Sequence, residues 1–156
     1  MSEQVDKQIP QQVAPGTGQQ SFKMIDPQML KQVLGQGLGP KIDSIVLFCN
    51  IEGSIVAKAG RDDNLHSQAA VLANIFHEYI EFGCEAFDDN KLQALFIQHD
   101  GAMYVAKPIY SLVLCFVCQP DANLGLVRSK VEVMSSSLEK NMQGLEQYLT
   151  ATQEPL

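Results

Sequence analysis

Lysine and arginine are scarce in this chain, with 11 of them against 18 aspartates and glutamates among 156 residues. The formal net charge is −7. Proteins that bind nucleic acid contact its phosphates mainly through Lys and Arg, so this balance argues against a nucleic-acid partner. No apolar stretch reaches the roughly 20 residues of a membrane-spanning helix, so we expect no membrane span.

Signals for secretion and lipid attachment are not recognisable in the sequence, so we expect no secretory leader, no myristoylation start and no prenylation box. The cysteines lie inside apolar segments, which is typical of free buried thiols in a reducing compartment. They are Cys49, Cys84, Cys115 and Cys118. We therefore expect a cytoplasmic protein that reaches a membrane only through a partner.

Two sequence patterns resemble nucleotide-binding and metal-binding motifs, but both occur in the wrong structural context. Gly35, Gly37 and Gly39 follow a predicted helix and precede a strand, whereas a dinucleotide loop has the reverse order. A helix end and a turn are the expected role of these glycines. Cys115 and Cys118 have zinc-knuckle spacing, but residues three apart on a strand point to opposite faces. We expect both to be apolar fillers.

Histidines and carboxylates do not form a predicted site either. His66, His77 and His99 are scattered, and no nucleophile is set beside any of them. Two Asp-Asp pairs, at 62–63 and 88–89, fall in predicted loops, where helix caps and solvated turns are the common role. The sequence therefore predicts no catalytic, cofactor-binding or metal site, and it favours an interaction module over an enzyme.

Composition divides the chain into three parts. Residues 1–24 are rich in Gln, Pro and Gly and are predicted to be a disordered tail. A single domain is expected over residues 25–150, followed by a flexible C-terminus at 151–156. A chain of this length can bury roughly 70% of its unfolded surface, so the domain needs no disulfide or metal to stabilise it.

Apolar patterning predicts an α/β (α+β) domain with the element order αββαβββα. Its centre is a hairpin over Ser44–Gly60, whose first strand is apolar without alternation, as in a strand covered on both faces. The predicted helices span 27–35, 65–84 and 123 to about 149. The predicted strands span 45–49, 54–59, 92–98, 102–107 and 109–118. The wholly apolar strands 45–49 and 109–118 should be adjacent at mid-sheet, with 54–59 and 92–98 as the edges.

Two predicted features lack a cover. Apolar positions fill roughly 200° of the helix 65–84, about twice the stripe of a one-sided surface helix. The edge strand 92–98 carries no charge and no proline, the usual devices against edge-to-edge pairing. We therefore predict a protein partner here. The candidate interface residues are Val71, Leu72, Ile75, Tyr79, Phe82, Leu92, Ala94, Leu95, Phe96 and Ile97.

A hairpin of the form Asn50-x-Glu52-Gly53-Ser54, followed by Ala57-x-x-Gly60, resembles the roadblock / dynein light chain family. The resemblance covers roughly residues 26–150, and the subunits of the Ragulator complex are the branch that the chain resembles most. Further matching positions are Asn74, Ile75, Tyr79, Gly83, Phe87, Leu92, Gly101 and Leu114.

The resemblance implies a five-stranded antiparallel sheet with one helix on one face and two on the other. It also implies a non-enzymatic scaffold that dimerises through the second helix and the third strand. For the Ragulator branch it implies a heterodimer with another roadblock subunit, held on late endosomes and lysosomes by a lipid-anchored scaffold. Such a complex supports Rag-type GTPases, their nucleotide exchange and TOR complex 1 signalling.

Three alternatives stay open. One, within the family, is a dynein light chain or another roadblock-type regulator of a small GTPase. Another is a profilin- or PAS-like ligand-sensing domain, which would need a cavity with polar lining between helix and sheet. The third is a small enzyme, which the missing catalytic groups disfavour.

Overall fold

The computed structural model describes residues 26–61 and 63–142. The predicted tail at 1–24, the predicted C-terminus at 151–156 and the continuation of the last helix to about residue 149 lie outside the described residues.

The described residues form the predicted order of long helices and strands, with an additional turn of helix after the second long helix. The helices are α1 (Pro27–Gly35), α2 (Leu65–Glu78), the short α3 (Cys84–Ala86) and α4 (Leu124–Met142), and a π-helical turn spans Tyr79–Gly83 between α2 and α3. The strands are β1 (Ile42–Cys49), β2 (Ile55–Gly60), β3 (Leu95–His99), β4 (Ala102–Ile109) and β5 (Leu112–Cys118).

All five strands join one antiparallel sheet in the order β2-β1-β5-β4-β3. The prediction that the two apolar strands are adjacent, with β2 and β3 at the edges, is confirmed. Helix α2 covers one face of the sheet, and α1 and α4 cover the other, since their buried residues fall in two separate clusters. Each face of the sheet therefore has its own core.

Helix α1 begins and ends where the sequence predicts. The Asp26 carboxylate accepts a hydrogen bond from the Gln28 amide at 3.0 Å, and Pro27 occupies the first turn. After Gly35 the chain turns, with the Gly37 amide donating to the Leu34 carbonyl. A Cβ on Gly37 would lie 2.7 Å from Ile45 Cδ1, so glycine is needed there for close packing against the sheet.

The predicted strand 109–118 is wrong at its start. Its first residues instead close a hairpin between β4 and β5 through Tyr110 and Ser111, with Tyr110 at a φ of 54°. Pro108, expected to end the preceding strand, lies inside β4 opposite Val113. The pairing of β3 reaches only to Ala106, so the missing N–H of Pro108 removes no hydrogen bond to β3.

The cysteines of β5 confirm the strand geometry. Cys115 packs beneath α2 and Cys118 packs beneath α1 and α4, on opposite faces of the sheet. Burial raises the pKa of both thiols, that of Cys118 to about 11, where Asp43 adds to the effect and Lys130 opposes it. Cys49 and Cys84 are only half-buried, so the prediction of four buried thiols is wrong for these two.

Candidate partner-binding surface

Helix α2 packs one stripe on the sheet and leaves a second stripe in solvent. The buried residues are Leu65, Ala69, Leu72, Ala73 and Phe76. Leu72, predicted at the interface, is only 4% exposed and belongs to this core. Val71, one position earlier, is 61% exposed and lies on the open side of the helix.

The helix changes its winding after Glu78, where the sequence predicts a regular helix to residue 84. The Cys84 amide donates to the Tyr79 carbonyl five residues earlier, which is the bond of a π-helix. A π-helical turn holds more residues per turn, so positions after Phe76 leave the buried stripe. Ile80, which the regular spacing of four residues from Phe76 would place on that stripe, is 56% exposed as a result.

Tyr79 folds the following segment back over the π-helical turn. Its ring stacks on Phe87 with a centroid separation of 5.8 Å, and its hydroxyl donates to the Asn90 carbonyl at 2.9 Å. A Cβ on Gly83 would lie 2.7 Å from Tyr79 Cδ2, so the ring needs glycine at this position. Two non-glycine residues, Asp88 and Asp89, adopt φ values of 57° and 61° as the chain leaves the turn.

The edge strand β3 begins at Leu95, three residues later than predicted, so Leu92 and Ala94 lie in the connection before it. Leu95 and Ile97 pack partly against the core beneath α2. Phe96 points to the other face and is 45% exposed beside a 330 Å³ cavity that Leu124 also lines. The structure therefore places the predicted strand residues on both faces of the free edge.

A groove of about 280 Å³ runs between α2 and β3. It is lined by Ser67, Gln68, Val71, Leu72, Ile97, His99 and Tyr104. Three predicted interface residues line it: Val71 and Leu72 from α2 and Ile97 from β3. Gln68 Oε1 is buried here with no hydrogen-bond partner among the described residues.

One end of the groove is polar. The Gly101 amide donates to His99 Nδ1 at 3.0 Å, so a neutral imidazole carries its proton on Nε2, which lies 3.4 Å from the Tyr104 hydroxyl. Burial, with a smaller contribution from Cys115, raises the pKa of Tyr104. No His, Cys, Asp or Glu side chains within 26–61 and 63–142 converge in a group able to hold a metal. Although Ser67, Gln68, His99 and Tyr104 contribute polar groups to its lining, the surface exposed inside the groove is mainly apolar and suits packing.

Acidic side chains surround the π-helical turn. The segment 78–90 contains five carboxylates and no lysine or arginine. They belong to Glu78, Glu81, Glu85, Asp88 and Asp89. Three large apolar side chains of this segment, Ile80, Phe82 and Phe87, are each more than half exposed.

The structure brings most of the predicted residues into one region and adds to them. We call the exposed side of α2, the π-helical turn, the connection 92–94 and strand β3 the pairing surface. Ile75, Tyr79, Leu92, Leu95 and Ile97 are partly buried within it, and Val71 and Phe82 protrude. Sequence reasoning missed Ile80 and Phe87 as exposed residues. The available signal was Gly83, because a glycine inside a helical pattern is unfavourable and usually has a packing reason.

Comparison with known proteins identifies the architecture. No protein-family sequence model matches the chain. MglB of Myxococcus xanthus superimposes with a TM-score of 0.68 at 17% identity, over 77% of this chain and 99% of that one. A roadblock/LC7 domain from Streptomyces avermitilis gives a TM-score of 0.61 at 18% identity, over 76% and 99%. Profilin II of Acanthamoeba castellanii gives 0.54 at 15% identity, over 76% and 99%.

These likenesses define the class of fold. The five-stranded antiparallel sheet with one long helix on one face and two on the other is the roadblock/LC7 fold. Among the described residues, no helix is both long enough and apolar enough to cross a bilayer.

Proposed function

We propose that this protein is a non-enzymatic adaptor subunit that pairs, through α2 and β3, with a second roadblock-type protein. The observation that carries the proposal is the coincidence of an exposed apolar helix face with an unprotected sheet edge. Main-chain bonds along β3 would supply the affinity of such a pair, and the side chains around the α2–β3 groove its selectivity.

The particular role we propose is that of the second subunit of a Ragulator-like complex, the late endosomal/lysosomal adaptor and MAPK and mTOR activator. The partner would be a different roadblock subunit, and a lipid-anchored scaffold would hold the pair on the lysosomal surface. The complex would support Rag-type GTPases and TOR complex 1 signalling. Support comes from the hairpin sequence Asn50 to Ser54 and from Ala57 and Gly60.

A second candidate is a dynein light chain or another roadblock-type regulator of a small GTPase. This candidate is retained because the fold is similar to that of bacterial MglB. In this role the protein would pair through the same surface, and the two candidates differ in the proteins attached to the pair. The ligand-sensing alternative is disfavoured because the surface exposed inside the α2–β3 groove is mainly apolar and the groove opens onto the free edge.

Affinity purification of the tagged full chain from its own cells, followed by mass spectrometry, separates these candidates. Recovery of other roadblock subunits together with Rag-type GTPases supports the Ragulator role. Recovery of dynein intermediate chain supports the second role. Recovery of neither a roadblock protein nor a GTPase would overturn the proposal.

A further inference from the structure

A second apolar surface lies on the opposite side of the sheet, between α1 and α4. The two helices leave a groove of about 380 Å³ whose walls include Val33 of α1 and Val133 and Met134 of α4. Gly37, where α1 leads into the sheet, lies at the same groove. Because α1 and α4 cover the sheet face away from α2, this groove is separate from the pairing surface.

The groove continues along the outer side of α4, and we call this exposed strip of the helix the seam. Val133 is 72% exposed, and Leu126, two turns earlier on the same side of the helix, is 58% exposed. Small residues lie between and beyond them, and the Ser129 hydroxyl donates to the Gly125 carbonyl of its own helix at 3.0 Å. Small side chains that already satisfy their own hydrogen bonds let another backbone approach closely.

The charges along this seam are positive. Lys130 lines the groove, and Lys140 lines a shallower depression that shares Val133 with it. Glu132 also borders that depression, but its carboxylate pairs with Lys107 of β4 at 2.6 Å. Within the part of the chain that the structure describes, neither Lys130 nor Lys140 forms an ion pair. An acidic protein thus presents a basic, apolar strip at this place.

We propose that the α1–α4 groove and seam bind an amphipathic helix of a partner protein, with an apolar stripe flanked by Asp or Glu. Apolar side chains of that helix pack on Val33 and Val133, and its carboxylates meet Lys130 and Lys140. From Ser129 to Lys140 the seam runs about 16 Å, which suits about three turns of the docked helix. The contact does not depend on the pairing surface, so both can be occupied at once.

Two synthetic helices test this proposal with the full-length protein. Both peptides have about 18 residues, which is long enough for an isolated helix to form. They carry the same leucine stripe, which is flanked by Glu in one peptide and by Lys in the other. Titration by fluorescence anisotropy measures affinity, and amide chemical shifts locate the site. We expect the Glu-flanked helix to bind at least tenfold more tightly, with shifts confined to α1, the 36–39 turn and α4.

Variants then assign the contact to named side chains. Val133→Asp should weaken binding of the Glu-flanked helix at least tenfold. Val56→Asp, a matched change on β2, should leave that binding unchanged. Lys130→Glu combined with Lys140→Glu should reverse the preference between the two helices. Equal binding of both helices, shifts mapping to α2, or binding of phosphatidylserine vesicles without binding of the Glu-flanked helix would each overturn the proposal.

Discussion

The two edges of the sheet are built differently. The β2 edge carries Lys58, its pairing with β1 is interrupted by an irregularity at Leu47/Phe48, and α1 packs against it. The β3 edge has neither charge nor proline between Leu95 and Gln98. Charges, irregular pairing and covering elements are how natural sheets prevent edge-to-edge association. One edge is therefore guarded and the other is left available.

The available edge is also the one beside the uncovered part of α2. Val71 and Ile97 line the same groove, so the helix and the strand present one continuous surface. A protein that functions alone gains from guarding both edges. This difference supports the proposed pairing through β3, and substitutions on each edge test it.

The largest effect is expected from charges on the pairing surface. The double variant Val71→Asp and Phe96→Asp places a carboxylate on the exposed helix face and another on the free edge. We expect binding to the roadblock partner to weaken by at least 30-fold, since hot-spot losses are about 2–4 kcal/mol. Quantitative co-purification measures this. Val56→Asp on the guarded edge should retain full yield, and equal loss in both variants would refute the difference between edges.

A smaller effect, on the stability of the protein, is expected from a substitution in the π-helical turn that forms part of this surface. Gly83→Ala forces a methyl group against the Tyr79 ring and should lower the free energy of unfolding by about 1–3 kcal/mol. Urea unfolding measures it. Gly35→Ala is the matched control, because nothing lies within 4 Å of a Cβ there, and it should be neutral or slightly stabilising. Equal stability of the two variants would mean that the ring does not depend on Gly83.

A still smaller change in the free energy of unfolding is expected when the hydroxyl of Tyr79 is removed. Tyr79→Phe keeps the stack on Phe87 but removes the hydrogen bond to the Asn90 carbonyl. The expected cost is about 0.5–1.5 kcal/mol, and amide exchange in the 84–94 segment should quicken while exchange in β2 is unchanged. Unaltered exchange in that segment would show that the hydrogen bond does not hold it.

The last effect appears only at alkaline pH and concerns Cys118 at the end of the central strand β5. The unfolded Cys118 thiol ionises near its ordinary pKa of 9.0, whereas in the folded protein burial raises that pKa to about 11. Stability from the neutral thiol is therefore complete below pH 9 and is lost as pH rises toward 11. Urea unfolding at pH 8 and pH 10 should show a larger decline for the natural protein than for Cys118→Val. Identical declines would place the thiol in contact with water.

Much of the fold follows from local signals in the sequence. Asp26-Pro27 fixes the start of α1, and the spacing of Val127, Val131, Met134 and Leu138 predicts the single buried stripe of α4. The β4–β5 turn could not be predicted, because Tyr110 and Ser111 interrupt an apolar run without the Gly, Asn or Asp that usually marks a turn. In the structure, Tyr110 adopts its left-handed φ between the paired residues Ile109 and Leu112.

For the candidate surface, the sequence predicts which elements are involved, but less well which of their residues are exposed. A regular helix of 100° per residue places Ile80 inward, and the π-helical turn moves it outward. Leu72 was assigned to the interface because periodicity shows that a helix is apolar on two sides, but not which side the sheet covers. Phe96 and Ile97 lie on opposite faces of β3, as alternation along a strand requires, so partner contacts are expected on both faces.

The most direct test of pairing through β3 is amide hydrogen exchange on both edges. Exchange is measured for 95–99 and 55–60 in the isolated protein and in the complex purified from its own cells. We predict at least tenfold slower exchange of 95–99 in the complex, with 55–60 unchanged. Unchanged exchange at 95–99, or slowing confined to 55–60, would contradict the assignment of β3 as the pairing edge.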